Sequence, residues 1–133
     1  MLVPFLVVGP VLVIGYNFEV LGGAIHNDVG FAASWGAFPV LTAYVAQTGT
    51  LALAPILAAA GALALSLAQR ALSTPARLLR RRAADVTGVV SLSDGSQQAV
   101  DRPTLLAPLE QALRTMAWAV VLLAAALAVS RLN

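Results

Sequence analysis

Long apolar runs separated by short polar segments dominate the chain. Several of these runs are individually long enough to cross a lipid bilayer as a helix. Four candidate transmembrane helices cover about residues 2–15, 29–47, 51–72 and 113–130. The first is at the short end for a span, and its prolines would bend it. The pattern predicts an all-α, polytopic membrane helix bundle of about four transmembrane helices, forming one domain over residues 1–133.

The segments that connect these helices differ in length and polarity. Residues 48–50 form the whole link between the second and third helices, which predicts a tight turn. The third and fourth helices are joined by residues 73–103, which are polar enough to lie outside the hydrocarbon. Because β-branched residues flank Asp94 and Gly95 in this loop, we expect a small β-hairpin there. Pro39 predicts a kink inside the second helix.

The composition agrees with a membrane protein. Hydrophobic residues make up 59% of the chain and charged residues only 11%, which lies outside the usual range of soluble domains. The chain has no cysteine, so disulfides, zinc–thiolate sites and a cysteine nucleophile are excluded. All eight basic residues are arginines, and the absence of lysine excludes a Schiff-base or P-loop mechanism.

The arginines predict the orientation of the chain. Six lie in or beside the long loop, namely Arg70, Arg77, Arg80, Arg81, Arg82 and Arg102. The positive-inside rule assigns such a loop to the cytoplasm, and the clustering indicates topology rather than a nucleic-acid partner. Counting helices from that loop leaves both termini outside. An outward start to a short chain leads us to expect further helices upstream of Met1.

A polar island between the first two apolar runs carries the candidate substrate-binding residues. They are Tyr16, Asn17, Glu19, His26, Asn27 and Asp28. His26 with the two carboxylates is suited to hold a cation, position a polar head group or perform acid–base chemistry. The alternative is a solvated loop in which Asn27 or Asp28 caps the second helix and residues 22–23 make a turn. The irregular spacing does not predict a metal site, and no catalytic residue is assigned.

A second candidate site is basic. Arg77, Arg80 and Arg81 share one helical face, with Arg82 adjacent. Arginine offers bidentate donors to a phosphate or diphosphate, but the same residues are attracted to anionic lipid, which is the interpretation we favour. Three aspartates of the long loop, Asp85, Asp94 and Asp101, lie nine and seven residues apart. That spacing does not bring carboxylates together, so no metal site is predicted there either.

Residues 16–50 resemble the middle of UbiA-type membrane prenyltransferases, in particular the branch that acts on dihydroxynaphthoate in menaquinone synthesis. In that branch a Tyr- and Gly-bearing cytoplasmic loop leads into a helix reading roughly GxxxVLGTYYVQTG. The counterparts here are Gly36, Val40, Leu41, Thr42, Tyr44, Gln47, Thr48 and Gly49. The resemblance implies that the four helices correspond to helices four to seven of a nine-helix fold whose active site opens to the cytoplasm. It also implies a bacterial plasma membrane and places Tyr16 near the substrate diphosphate.

The chain departs from that family in the acidic residues. The first Asp-rich motif, of the type NDxxDxxxD, would lie upstream of Met1, and the second, of the type DxxxD, is missing from residues 73–103. Without them no Mg²⁺–diphosphate site is evident, so no cofactor is expected unless missing residues or a partner supply these motifs.

Two functional hypotheses follow from these observations. The first is the handling of an isoprenoid or quinone precursor by a chain that is not catalytic alone. The second is a small non-catalytic structural or assembly subunit of a larger membrane complex. Such a subunit would pack through its alanine-rich helices, whose small side chains permit close contact. Membrane lipids and a protein partner or second copy of the chain are expected in either case.

Overall fold

The computed structural model describes residues 2–18 and 26–130. The chain divides into two compact units, Met1–Arg70 and Ala71–Asn133, which are described separately. In chain order, the elements are α1 (Val3–Asn17), α2 (Asp28–Phe31), a π-helical segment (Ala32–Ala37), α3 (Phe38–Thr48), α4 (Leu53–Arg81), β1 (Thr87–Ser91), β2 (Gln97–Asp101) and α5 (Arg102–Val129). The prediction of a mostly helical protein with a small antiparallel hairpin is confirmed.

Three stretches of the described chain are long and apolar enough to cross a membrane. They are Asp28–Thr48, which joins α2, the π-helical segment and α3, and the long helices Leu53–Arg81 and Arg102–Val129. Helix α1 has 15 residues, fewer than the roughly 17 that short spans need. Membrane-spanning helices are therefore supported, whereas the fourth predicted span is not confirmed.

The second predicted span begins with a capped helix and contains an irregular turn. The N–H of Phe38 donates to the carbonyl of Ala33, five residues earlier, so the helix is wider than an α-helix at this point. Pro39 follows directly and has no N–H, so it cannot donate to the carbonyl of Ser34 in the same pattern. The kink expected at Pro39 corresponds to a π-helical segment immediately before it. The span ends at Gly49, whose φ of 69° gives the left-handed cap typical of glycine.

Small residues bring this span close to α4. A Cβ added to Gly36 would lie 2.8 Å from the carbonyl oxygen of Ala62 and would also clash with the hydroxyl oxygen of Ser66. Only glycine therefore fits at this position without movement of the helices. Ala32 and Ala59 are buried in the same unit, as expected where small side chains let helix backbones approach.

The two long helices extend further into the polar loop than the sequence predicts. Helix α4 continues past the expected end at Leu72, through Pro75, to Arg81. Its last turns bury Ala76 and Leu79, and this burial offsets the backbone hydrogen bond that Pro75 cannot make. The expected loop of residues 73–103 is thus shorter than predicted.

Helix α5 begins at Arg102 rather than near residue 113. The side chain of Asp101 accepts a hydrogen bond from the Thr104 N–H at 2.9 Å, which caps the helix. Pro103, at the start of the helix, has no N–H to leave unsatisfied. These two residues explain why the helix starts a few turns before its apolar run.

The hairpin between these helices has the predicted turn. Strands β1 and β2 pair antiparallel, with Thr87 opposite Asp101 and Ser91 opposite Gln97. Gly95 has a φ of 83°, which is unfavourable for other residues. Asp94 accepts hydrogen bonds from both the N–H and the hydroxyl of Ser96. The Asp94–Gly95 turn signal was therefore read correctly from the sequence.

Candidate functional site

Five side chains of the first unit form what we call the aromatic–arginine cluster: Tyr16, His26, Asp28, Phe31 and Arg70. Tyr16 lies in the last turn of α1, and His26 comes directly before the cap of α2. Asp28 and Phe31 begin and end α2, while Arg70 lies on α4. Residues separated by more than fifty positions in the sequence are thus joined through ring and ion-pair contacts.

Tyr16 and His26 form one half of the cluster. Their rings stack with centroids 4.7 Å apart and an interplanar angle of 26°. The imidazole Nδ1 lies 3.0 Å from the backbone carbonyl oxygen of Tyr16. A carbonyl can only accept, so this hydrogen bond requires a proton on Nδ1. In the neutral ring Nε2 then remains an acceptor, and in the charged ring it becomes a second donor.

Phe31 links that half to the charged half. Its ring centroid lies 6.0 Å from that of Tyr16, and the guanidinium carbon of Arg70 lies 5.0 Å from the same Phe31 ring. This distance is within the range of a cation–π contact, about 6 Å. The cluster therefore places two aromatic rings, an imidazole and a guanidinium in one continuous row.

Arg70 also forms an ion pair with Asp28. Its Nη2 and Nε lie 2.7 Å and 2.8 Å from one carboxylate oxygen, Oδ1. The Asp28 side chain is 57% exposed, so in water such a pair contributes at most about 1 kcal/mol. Its structural effect is to fix the guanidinium over Phe31.

The remaining members of the predicted polar island have other roles or lie outside the described residues. Asn27 caps α2, because its Oδ1 accepts a hydrogen bond from the N–H of Gly30 at 2.8 Å. This confirms the capping alternative for Asn27. Asn17 donates to the carbonyl of Val13 within α1, an exposed local contact. Glu19 and the expected glycine turn at residues 22–23 fall outside the described ranges.

Sequence reasoning missed Phe31 and Arg70. Phe31 follows the polar island and was counted only as part of an apolar helix. A signal for Arg70 was nevertheless present, because it lies beyond the apolar run of α4 but before the main arginine group. Ionisable residues within spans pair with one another or with backbone carbonyls, and Asp28 is the acid that begins the preceding span.

The arginines of the second unit lie near the C-terminal end of α4. Arg77, Arg80 and Arg81 line a shallow groove with Ser73 and Ala76, completed by Glu110 and Leu113 of α5. Arg80 forms an ion pair with Glu110. Basic residues here also interact favourably with the negative end of the helix dipole. Arg82 lies outside this groove and lines a neighbouring hollow with Arg77 and Arg81.

The carboxylates of the three loop aspartates each accept hydrogen bonds from residues close by in the sequence. Asp85 accepts from the N–H of Val86 at 2.9 Å. The Ser96 hydroxyl and N–H hold the pKa of Asp94 below its usual value of 3.8, and those of Thr104 do the same for the pKa of Asp101. Within the described ranges, no three His, Cys, Asp or Glu side chains come close enough together to hold a metal ion.

Known proteins give no further guide to the function. No family model matches the chain, and neither a curated protein nor a solved structure matches it.

Proposed function

We propose that this protein is an integral membrane protein that binds the polar head group of an isoprenoid or quinone precursor at the aromatic–arginine cluster, and that it is not catalytic alone. The observation that carries the proposal is the continuous row of Tyr16, His26, Phe31 and Arg70. The row lies where α1 ends and the first long span begins, next to apolar helices that suit an isoprenoid tail.

The chemistry of the row fits such a head group. Aromatic faces stack on a quinone-like ring, because ring pairs prefer offset-stacked or tilted arrangements. The Nε2 of His26 interacts with a phenolic hydroxyl or a carbonyl according to the protonation of the ring. Arg70 adds a positive charge for a carboxylate or diphosphate, although part of that charge is already compensated by Asp28.

The resemblance to UbiA-type prenyltransferases supports the same class of ligand. Tyr16, the residue that resembles a family tyrosine near the diphosphate, belongs to the cluster. Mg²⁺ and prenyl transfer would require Asp-rich motifs from residues or a partner not described here. The proposed location is a bacterial plasma membrane with the arginine-rich segment in the cytoplasm, as the positive-inside rule favours.

A second candidate function is a non-catalytic subunit of a larger membrane complex. The observation that favours it is helix α5, whose most apolar stretch is not buried by any described part of the chain. Leu122, Leu123 and Leu127 are each more than 60% exposed. Such a surface can be covered by lipid alone. It can equally be covered by an apolar helix of a protein partner or of a second copy of the chain.

Ligand binding to the purified full chain separates the two functions. The chain would be titrated in detergent with a prenyl diphosphate and, separately, with a soluble naphthoquinone, and binding followed by calorimetry. We expect saturable binding of at least one of them, weakened at least tenfold by Tyr16→Ala with His26→Ala. Asn17→Ala is the matched control, because Asn17 lies in the same turn of α1 and its side chain donates to the carbonyl of Val13 within that helix.

Two results would contradict the head-group proposal. One is the absence of saturable binding by the unaltered chain, and the other is equal affinity of the double variant. If a stoichiometric protein partner co-purified after mild extraction in that case, the subunit function would be favoured instead.

Orientation has its own test. Because the chain has no cysteine, Ser93→Cys in the hairpin turn and Thr50→Cys between the spans each introduce a unique thiol. In intact cells we expect a membrane-impermeant maleimide to label Thr50→Cys and not Ser93→Cys. The reverse pattern would contradict the cytoplasmic assignment of the arginine-rich segment.

A further inference from the structure

The groove near the C-terminal end of α4 brings three arginines to one concave surface. We call it the arginine groove, and it has a volume of about 150 Å³. This is room for several water molecules, and therefore for a phosphate group. Arg77 and Arg81 are four residues apart on one helix, so their side chains lie on the same face.

The three arginines are not equivalent. Arg80 forms an ion pair with Glu110 across the groove, which compensates its charge and fixes the one acid among the described residues that line the groove. Among the described residues, neither Arg77 nor Arg81 takes part in an ion pair. These two guanidinium groups supply the net positive charge of the groove.

A fourth arginine satisfies backbone acceptors next to the groove. Arg102 donates to the carbonyl oxygens of Ala83 and Ala84, just past the end of α4. Carbonyl oxygens repel an anion, and these two accept hydrogen bonds from a cation. Arg102 therefore reduces the repulsion that these two carbonyls would exert on a negatively charged ligand near the end of α4.

We infer that the arginine groove binds the phosphate of an anionic phospholipid head group. Arginine is suited to phosphate because its planar fork donates two parallel hydrogen bonds. A lipid is favoured over a free ion because both helices that form the groove are candidate membrane spans. Ala76 and Leu113 add aliphatic walls beside the charged groups, as an amphipathic ligand requires. The inference is independent of head-group binding at the aromatic–arginine cluster, since the two sites share no residue.

The test measures lipid retention by the full chain in detergent. Native mass spectrometry would compare phosphatidylglycerol with phosphatidylcholine for the unaltered protein, Arg81→Gln, and Arg77→Gln with Arg81→Gln. We expect the unaltered chain to prefer phosphatidylglycerol. Each removed arginine should lower the affinity for phosphatidylglycerol roughly fivefold, and the double variant should lower it about 25-fold. The affinity for phosphatidylcholine should not change.

Two control variants distinguish a specific lipid site from non-specific attraction between the positive protein and the negative lipid. Arg114→Gln removes the same charge from an exposed position that does not line the groove, and it should leave phosphatidylglycerol binding unchanged. Arg77→Lys with Arg81→Lys keeps the charge but loses the planar guanidinium groups. Its affinity for phosphatidylglycerol should therefore lie between those of the unaltered protein and the double glutamine variant. Glutamine is a good helix former, and circular dichroism would verify that α4 is retained.

Three outcomes would overturn the inference. The first is an unaltered protein with no preference for phosphatidylglycerol, and the second is an equal loss of affinity in Arg114→Gln. The third is displacement of the lipid by millimolar inorganic phosphate, which would indicate a site for the free ion.

Discussion

Replacing Gly36 by alanine tests a close helix contact in the first unit. The new Cβ would lie 2.8 Å from the Ala62 carbonyl oxygen and 3.2 Å from its carbonyl carbon. The contact with the Ser66 hydroxyl is relieved by rotation of that side chain, whereas the backbone of α4 has no such freedom. The two helices must therefore separate by about half an ångström, and overpacking of this kind typically costs about 1–3 kcal/mol.

The matched control is Gly61→Ala on α4. In the described part of the chain, no atom beyond its chain neighbours and the backbone of its own helix lies within 4 Å of a Cβ added to Gly61, so this variant gains helix propensity without a clash. Alanine is favoured over glycine in an α-helix by about 1 kcal/mol, and Gly61→Ala should show this gain. We expect Gly36→Ala to be about 1–3 kcal/mol less stable than Gly61→Ala, because its Cβ clashes with the backbone of Ala62.

The assay is reversible unfolding of the full chain in mixed detergent micelles, followed by helical circular dichroism. Gly61→Ala should unfold at the same or a higher denaturant concentration than the unaltered chain, and Gly36→Ala at a lower one. Gly36→Ala with Ser66→Ala should recover little, since the contact with the Ala62 backbone remains. If Gly36→Ala and Gly61→Ala were equally stable, the close packing of the second span on α4 would be refuted.

Three further predictions concern caps, the turn and pH. Asn27→Ala should lower the free energy of unfolding by about 1 kcal/mol through loss of the α2 cap, whereas Asn27→Ser should lower it less. The same unfolding assay measures both variants, and an equal loss of stability in the two would contradict the capping role. Gly95→Ala should destabilise the hairpin by about 1 kcal/mol, because Gly95 has a positive φ. Amide hydrogen exchange of β2 measures this loss, and unchanged protection of those amides would refute the prediction. The pKa of Asp101 is lowered in the folded protein, so its cap contributes its full stability above pH 3.8. That stability is lost as the pH falls through the lower pKa of the folded state. The Thr104 amide shift should therefore titrate below pH 3.8, and it should not titrate in Asp101→Asn.

Features determined by neighbouring residues could be predicted from the sequence. The hairpin follows from Asp94 and Gly95, since only a few residues tolerate the backbone angles of a tight turn. The cap at Asn27 follows in the same way from an amide side chain directly before an apolar helix. In both places the interacting groups lie within three residues of each other.

Features that depend on distant contacts could not be predicted. The continuation of α4 through Pro75 depends on the burial of Ala76 and Leu79, which no local pattern reveals. Asp28 and Arg70 are 42 positions apart, so their pairing depends on how two spans pack. The polar island was recognised as a candidate site, but its aromatic and basic partners came from elements that periodicity describes only as apolar helices.

Photo-crosslinking tests head-group binding at the aromatic–arginine cluster most directly. An isoprenoid analogue with a photoreactive group beside its polar head would be activated with the full chain in a lipid bilayer, and the labelled residues mapped by mass spectrometry. We expect labelling within residues 16–31 and around Arg70, and we expect unlabelled ligand and the double variant Tyr16→Ala with His26→Ala to suppress it. Labelling spread along α5, or unaffected by competitor and by that double variant, would contradict it.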